Sequence, residues 1–162
     1  MIARYTLIAS RIRDELAMVA RLVERIEAIL AGMHRLDSPG FYVDAIALNL
    51  HDFYTAIERI FQQIARHVDQ SEPKGANWHR DLLSQMTLEV PEVRPAAITK
   101  ETCRQLDEYL RFRHVVRNAY TFELNAERIL ELARMVRDCF ERVNHDLLRF
   151  AQLLTDLAHA DE

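Results

Sequence analysis

Apolar residues recur along most of the chain in alternating steps of three and four, the period of an α-helix that buries one face. From Ile8 the run is Ile8, Ile12, Leu16, Val19, Val23, Ile26, Leu30 and Met33, predicting one long helix that Gly32, Ser38, Pro39 and Gly40 bring to an end. Ile46, Leu50, Phe53, Ile57, Ile60, Ile64 and Val68 make a second stripe, closed by the polar turn from Asp69 to Gly75. These two helices are expected to pack as an antiparallel hairpin. Asn77 is placed to cap a short helix through Trp78, Leu82, Leu83 and Met86, after which Pro91 and Pro95 impose an irregular stretch. Thr99 offers a capping hydroxyl to a third long helix, carried by Leu106 and Leu110 to about Tyr120. Thr121 to Asn125 interrupts the pattern, and Asn125 caps a last helix striped by Ile129, Leu132, Val136, Cys139, Val143, Leu147, Phe150, Leu154 and Leu157. Strand alternation is confined to a weak hint in Thr87 to Val93. The expectation is an all-α bundle of four long helices and one short one, occupying residues 1–162 as a single domain.

Composition fits that expectation and removes several function classes. With 162 residues, 49% hydrophobic, and only three Gly and four Pro, the chain suits one packed core without disulfides or a structural metal. Cys103 and Cys139 stand apart without ligand spacing and read as buried free thiols. The arginines at positions 4, 11 and 13 break any signal-peptide pattern, and no run approaches the length of a membrane span, so a cytoplasmic protein without membrane attachment is expected. The nucleotide-binding, zinc-protease and serine-hydrolase motifs GxxxxGK, GxGxxG, HExxH and GxSxG are missing. A di-iron bundle would need inward Glu-x-x-His pairs, and Glu141 with His145 has the wrong spacing. No metal or cofactor is expected.

Formal net charge is −4, which argues against binding nucleic acid through the overall field and leaves local clusters to consider. The densest is Arg111-Phe-Arg-His-Val-Val-Arg-Asn-Ala-Tyr120, which holds Arg111, Arg113, Arg117, His114 and Asn118 with no acid among them. Extending the Cys103, Leu106, Leu110 seam by helical steps lands on Arg113, Arg117 and Tyr120, so charge occupies positions that a bundle would fill with aliphatics. Phe112, Val116 and Ala119 open a new apolar stripe on another side. Burying unpaired guanidinium groups costs several kcal/mol, so these arginines either meet acids, with Glu58, Asp44 and Asp52 as candidates, or line a cleft open to anions. A salt-bridge network and a phosphate-binding site both stay open, because Arg forks match either partner and His114 can move protons near neutral pH.

The segment FRHVVRNAYTFEL resembles the signature of HEPN-domain proteins, and specifically of HepT-like ribonuclease toxins encoded beside a minimal nucleotidyltransferase antitoxin. HDFYTAIERIF in the second long helix and WHRDLLSQM in the short one extend the resemblance over most of the chain. The family motif is Arg, four residues, His, one residue, Tyr, which places Arg113 first and Tyr120 last. The motif His falls on Asn118, whose amide cannot exchange a proton near pH 7. His114, one turn away on the same face, is the substitute that the sequence offers.

The resemblance implies a homodimer whose motif helices face one another across an RNA cleft. It also implies metal-independent attack of a ribose 2′-hydroxyl on the adjacent phosphate. Arg113 would stabilise the phosphorane with help from Arg117 and Arg111, His114 would act as acid or base, and Asn118 would orient. It further implies that the partner nucleotidyltransferase silences the protein by attaching AMP to Tyr120. Two readings follow: an endoribonuclease acting on cellular RNA, with tRNA a candidate substrate, or a catalytically impaired module that binds RNA, nucleotides or a nucleotidyltransferase. Trp78 in Trp-His-Arg reads as a packing residue, and His51, His67, His145 and His159 as scattered helix histidines.

Overall fold

The stripes close on one another in a computed structural model that describes residues 2–35, 39–120 and 123–160. The helices are α1 (Ile2–Gly32), α2 (Pro39–His67), α3 (Trp78–Gln85), α4 (Lys100–Asn118) and α5 (Ala126–Ala160), with a 3-10 turn at Met33–Arg35. The architecture is an all-α bundle. Ile8, Ile12, Leu16, Val19, Val23 and Ile26 of α1 are buried against α2 and α5, whose own stripes are buried along nearly their whole length. Full burial of such side chains contributes about 2 kcal/mol each. Leu157, at the end of the last stripe, is exposed.

Polar contacts fix the directions. Arg11 near the start of α1 donates to Gln63 near the end of α2 at 3.1 Å, so the first two helices are antiparallel, as their spacing predicts. Arg13 reaches Thr155 at 3.3 Å and Arg137 reaches Glu27 at 2.6 Å, which sets α5 antiparallel to α1. The third long helix is held from both sides. Thr99 caps α4 by accepting from the Thr102 amide, and the buried Asp146 carboxylate accepts from the Thr99 amide at 2.9 Å and the Thr102 hydroxyl at 2.7 Å. Further along α4, the Tyr109 hydroxyl donates to the Leu132 carbonyl at 2.9 Å while its ring meets Phe53 edge-on.

Several boundaries differ from those read in the sequence. Pro39 and Gly40 begin α2 instead of separating it from α1, because the first helical turn needs no amide donor and accepts proline. Ser38 lies outside the described residues, as do Thr121 and Phe122 of the expected interruption before α5. Helix α4 stops at Asn118 and Ala119 is extended, so Tyr120 stands beyond the helix. Asn125 caps α5 by accepting from the Arg128 amide, but Asn77 makes no side-chain cap, its backbone lying outside the extended region that aims such a side chain. The hint at Thr87 to Val93 becomes an isolated pairing of Val90 with Arg94. Both cysteines are free, but only Cys139 is buried, and burial pushes its thiol up to about 12; Cys103 is half-buried.

The connection between α3 and α4 is held by Arg94, whose guanidinium is fully enclosed. It bonds both Asp69 carboxylate oxygens, at 2.5 and 2.8 Å, and the carbonyls of Gln85, Leu88 and Pro95. This pins the loop to the end of α2 and so fixes where α3 lies. Replacing Arg94 with Ala strands a buried carboxylate and three carbonyls, and urea unfolding is expected to show a loss of about 3–5 kcal/mol. A loss under 1 kcal/mol would mean that the clamp is dispensable.

Candidate functional site

Helix α2 carries two buried faces. One is the Ile46 to Val68 stripe; the other runs Tyr54, Glu58, Phe61 and Ala65 at steps of four, three and four, and all of these are buried. Glu58 therefore sits as a carboxylate in an apolar row, only 4% exposed. A buried charge of this kind must be paired. Its partners come from two other helices: His79 of α3, with Nδ1 at 2.6 Å from Oε2, and Arg113 of α4, with Nη2 at 3.4 Å from Oε1. Arg113 also donates from Nε to the Thr55 hydroxyl at 3.2 Å, one turn before Glu58 on the same face of α2. Of the three acids that the sequence offered, Glu58 meets Arg113, while Asp44 and Asp52 are exposed.

Arg113 Nη1 lies 3.1 Å from the same His79 Nδ1. One ring nitrogen cannot donate to a carboxylate and accept from a guanidinium at once. The shorter contact is the one to the carboxylate oxygen, and a ring that carries a proton on Nδ1 and donates it to Glu58 fits that contact, a tautomer assigned from the distances. The Trp78 indole stacks on the imidazole with centroids 3.5 Å apart and an interplanar angle of 28°, while packing against the core, so it helps fix the ring plane. Gly75, at φ +99°, makes the turn that starts α3; an L side chain there is strained, so this bend favours glycine.

A cleft of about 400 Å³ opens between the start of α3 and the second half of α4. Its wall includes Asn77, His79, Arg80, Arg111, Arg113, His114 and Arg117, and no carboxylate is among its described lining residues. Asp107 lies nearby and pairs with Arg111 at 2.7 Å and Arg80 at 3.5 Å. Burial, and the facing guanidinium groups of Arg113 and Arg117, push the His51 imidazole of α2 below its ordinary range. Its Nδ1 is buried without a hydrogen-bond partner among the described residues. A depression of about 480 Å³ beside Asp146 mixes Asp138 and Glu141 with Arg142 and Arg149, and lacks the cleft's single sign. Among the described residues no three His, Cys, Asp or Glu are placed to hold a metal ion.

The structure thus brings Arg111, Arg113, His114 and Arg117 to one cleft. Asn118 is exposed and outside its described wall, its amide folded back onto the His114 carbonyl at 2.8 Å. Tyr120 is 71% exposed past the end of α4, its backbone amide donating to Glu123 at 3.1 Å. The residue that sequence reasoning passed over is His79. Its signals were Glu58 in an otherwise apolar row and the Trp-His-Arg triplet opening a short helix, but nothing in their spacing showed that they meet.

No helix among the described residues is long and apolar enough to cross a membrane. No curated protein matches the chain, and no solved structure does. A family model does: that of the HepT-like proteins matches residues 45–154, which takes in most of α2, all of α3 and α4, and most of α5. The match covers more than half of the chain and every residue of the Glu58–His79–Arg113 cluster, and on that ground the chain belongs to the HepT-like family.

Proposed function

We propose that this protein is an endoribonuclease of the toxin type, cleaving cellular RNA without a metal ion and restrained by a nucleotidyltransferase antitoxin. The observation that carries this reading is the cleft wall, with four arginines and two histidines and no acid among its described residues, on a chain of net charge −4. Such a site selects anions locally where the overall field does not. Arg113 is anchored by Glu58 and Thr55, so its guanidinium edge is held in place before substrate arrives. Fixed donors of this kind favour the charge that builds on a phosphorane more than the ground-state phosphate. Arg111 and Arg117, both exposed, hold the RNA backbone on either side.

The protein acts as a homodimer. Phe41 and Leu48 of α2, Val115 of α4 and Tyr120 just beyond it are large apolar or aromatic side chains left between 51% and 75% exposed. Arg113 meets Thr55 and Glu58 while the charge of Arg117 acts on His51, so successive turns of α4 meet earlier turns of α2, the direction in which Leu48 and Phe41 lie. Tyr120 stands accessible past the helix end. Transfer of AMP from ATP to its hydroxyl, releasing pyrophosphate and the phenolic proton, would place bulk and negative charge near the cleft and exclude RNA. A second reading is a catalytically impaired binding module, favoured by the amide of Asn118 being tied to the His114 backbone carbonyl.

Incubated with labelled tRNA in EDTA, the protein is expected to yield fragments ending in 2′,3′-cyclic phosphate. Arg113→Lys, checked for folding by circular dichroism, should reduce the rate by about 100-fold. Absence of cleavage, restored by Asn118→His, would instead establish the binding module. For RNA affinity, Arg111→Gln and Arg117→Gln should each flatten the dependence of log affinity on log salt by about 0.7, one phosphate contact apiece. Light scattering should give the mass of two copies, falling to one in the Leu48→Arg, Val115→Arg double variant; a monomeric wild type would remove the dimer from this scheme.

A further inference from the structure

In this chain the motif position for the proton carrier holds Asn118, and the structure contains a differently placed imidazole built for that task. We propose that His79, supplied by α3 and oriented by Glu58 of α2, is the group that moves the proton during RNA cleavage. The inference rests on the ribonuclease reading and names the residue that reading leaves open.

Three features separate His79 from the other imidazoles near Arg113. Its Nδ1 lies 2.6 Å from a buried carboxylate oxygen, a contact that an Nδ1–H tautomer satisfies and that leaves the Nε2 lone pair for exchange. Its ring is clamped between the stacked Trp78 indole and the Glu58 contact, and it lines the cleft beside Arg113. His114 also lines the cleft, but it is exposed, and no side-chain hydrogen bond orients its ring among the described residues. His51 is not in the described wall, and its Nδ1 is buried without a partner. Carboxylate, imidazole and guanidinium come from three helices, so the arrangement is held by the bundle and not by a loop.

The step balances within the site. His79 Nε2 takes the proton of a ribose 2′-hydroxyl as the 2′ oxygen forms its bond to the adjacent phosphorus. The bond from phosphorus to the 5′ oxygen of the next nucleotide breaks, its electron pair staying on that oxygen. The imidazolium then returns its proton to the departing 5′ oxygen, leaving a 2′,3′-cyclic phosphate and a 5′-hydroxyl with no water consumed. Glu58 compensates the charge that the ring carries between the two transfers, as a positioning residue. Arg113, its Nη1 3.1 Å from Nδ1, lines the same cleft. The other charges around the ring are Arg80 on its own helix, paired with Asp107 of α4, and Arg111 and Arg117 across the cleft. Among these groups Glu58 is the carboxylate in direct contact with the ring.

The test measures kcat and KM for RNA cleavage in EDTA between about pH 5 and pH 9, the range over which an imidazole titrates. The proteins compared are the wild type, His79→Gln, Glu58→Gln, Asn118→His and, as a distant control on α5, His145→Gln, each checked by circular dichroism. The expected result is a fall in kcat of about 100-fold or more for His79→Gln, with loss of the imidazole limb of the pH profile and little change in KM. Glu58→Gln should retain part of the rate and move that limb to lower pH, because a neutral amide no longer supports the protonated ring. Nitrogen NMR of the wild type should show His79 protonated at Nδ1 and bare at Nε2. The opposite tautomer, or His79→Gln within about twofold of wild type, overturns the proposal and leaves the nuclease standing. Cleavage that appears only in Asn118→His also overturns it, since His79 then does not suffice. If neither the wild type nor Asn118→His cleaves, the ribonuclease reading falls and the proposal with it.

Discussion

One buried carboxylate organises the working end of this bundle. Glu58 stands in an otherwise apolar row of α2, and a negative charge in that position is untenable without partners. Both partners lie on other helices, Arg113 on α4 and His79 on α3, so satisfying one charge ties three elements together. The short helix α3 gains most from this, because its few turns bury only Leu82 and Leu83 and would otherwise be weakly held. The Arg94 clamp on Asp69 fixes its far end. With both ends tied, the cleft between α3 and α4 has a defined shape.

That geometry explains how an acidic chain can present a cationic site. The arginines of α4 are close in sequence, but their roles diverge with burial. Arg113 turns inward, 11% exposed at its side chain, and acts as a fixed donor, whereas Arg111 stays in solvent with Asp107 as its neighbour. Because the acids that balance them lie behind or beside the cleft, among the described residues, the wall itself keeps one sign. Membership of the HepT-like family gives this charge pattern a context, and the wall shows which side chains an anion would meet.

Much of the site was legible before any coordinates. The seam through Cys103, Leu106 and Leu110 runs onto Arg113, Arg117 and Tyr120, and of these Arg113 is drawn into the bundle while Arg117 and Tyr120 are exposed. Phe112 and Val116 pack on the core as the new stripe predicts, while Ala119, its third member, is extended beyond the helix end. The contacts of His79 were not legible. His114 shares a helix with the arginines, but sharing a helix face sets a position along an axis, not a hydrogen-bond partner. His79 is thirty-odd residues away, and only the packing of α3 between α2 and α4 puts it on Glu58. Asn118 illustrates the same limit, since its amide turned to the carbonyl one turn back.

The sequence by itself determined the number and order of helices, most of the buried stripe of each long one, the caps at Thr99 and Asn125, and the family to which the residues point. These are consequences of local periodicity and short-range hydrogen bonding, which depend on residues a few positions apart. The tertiary structure alone decided where α2 begins and α4 ends, which acid compensates Arg113, and which histidine of the cleft meets that acid. Those outcomes depend on desolvating charges from different helices at a shared point, a condition that exists only once the bundle has closed.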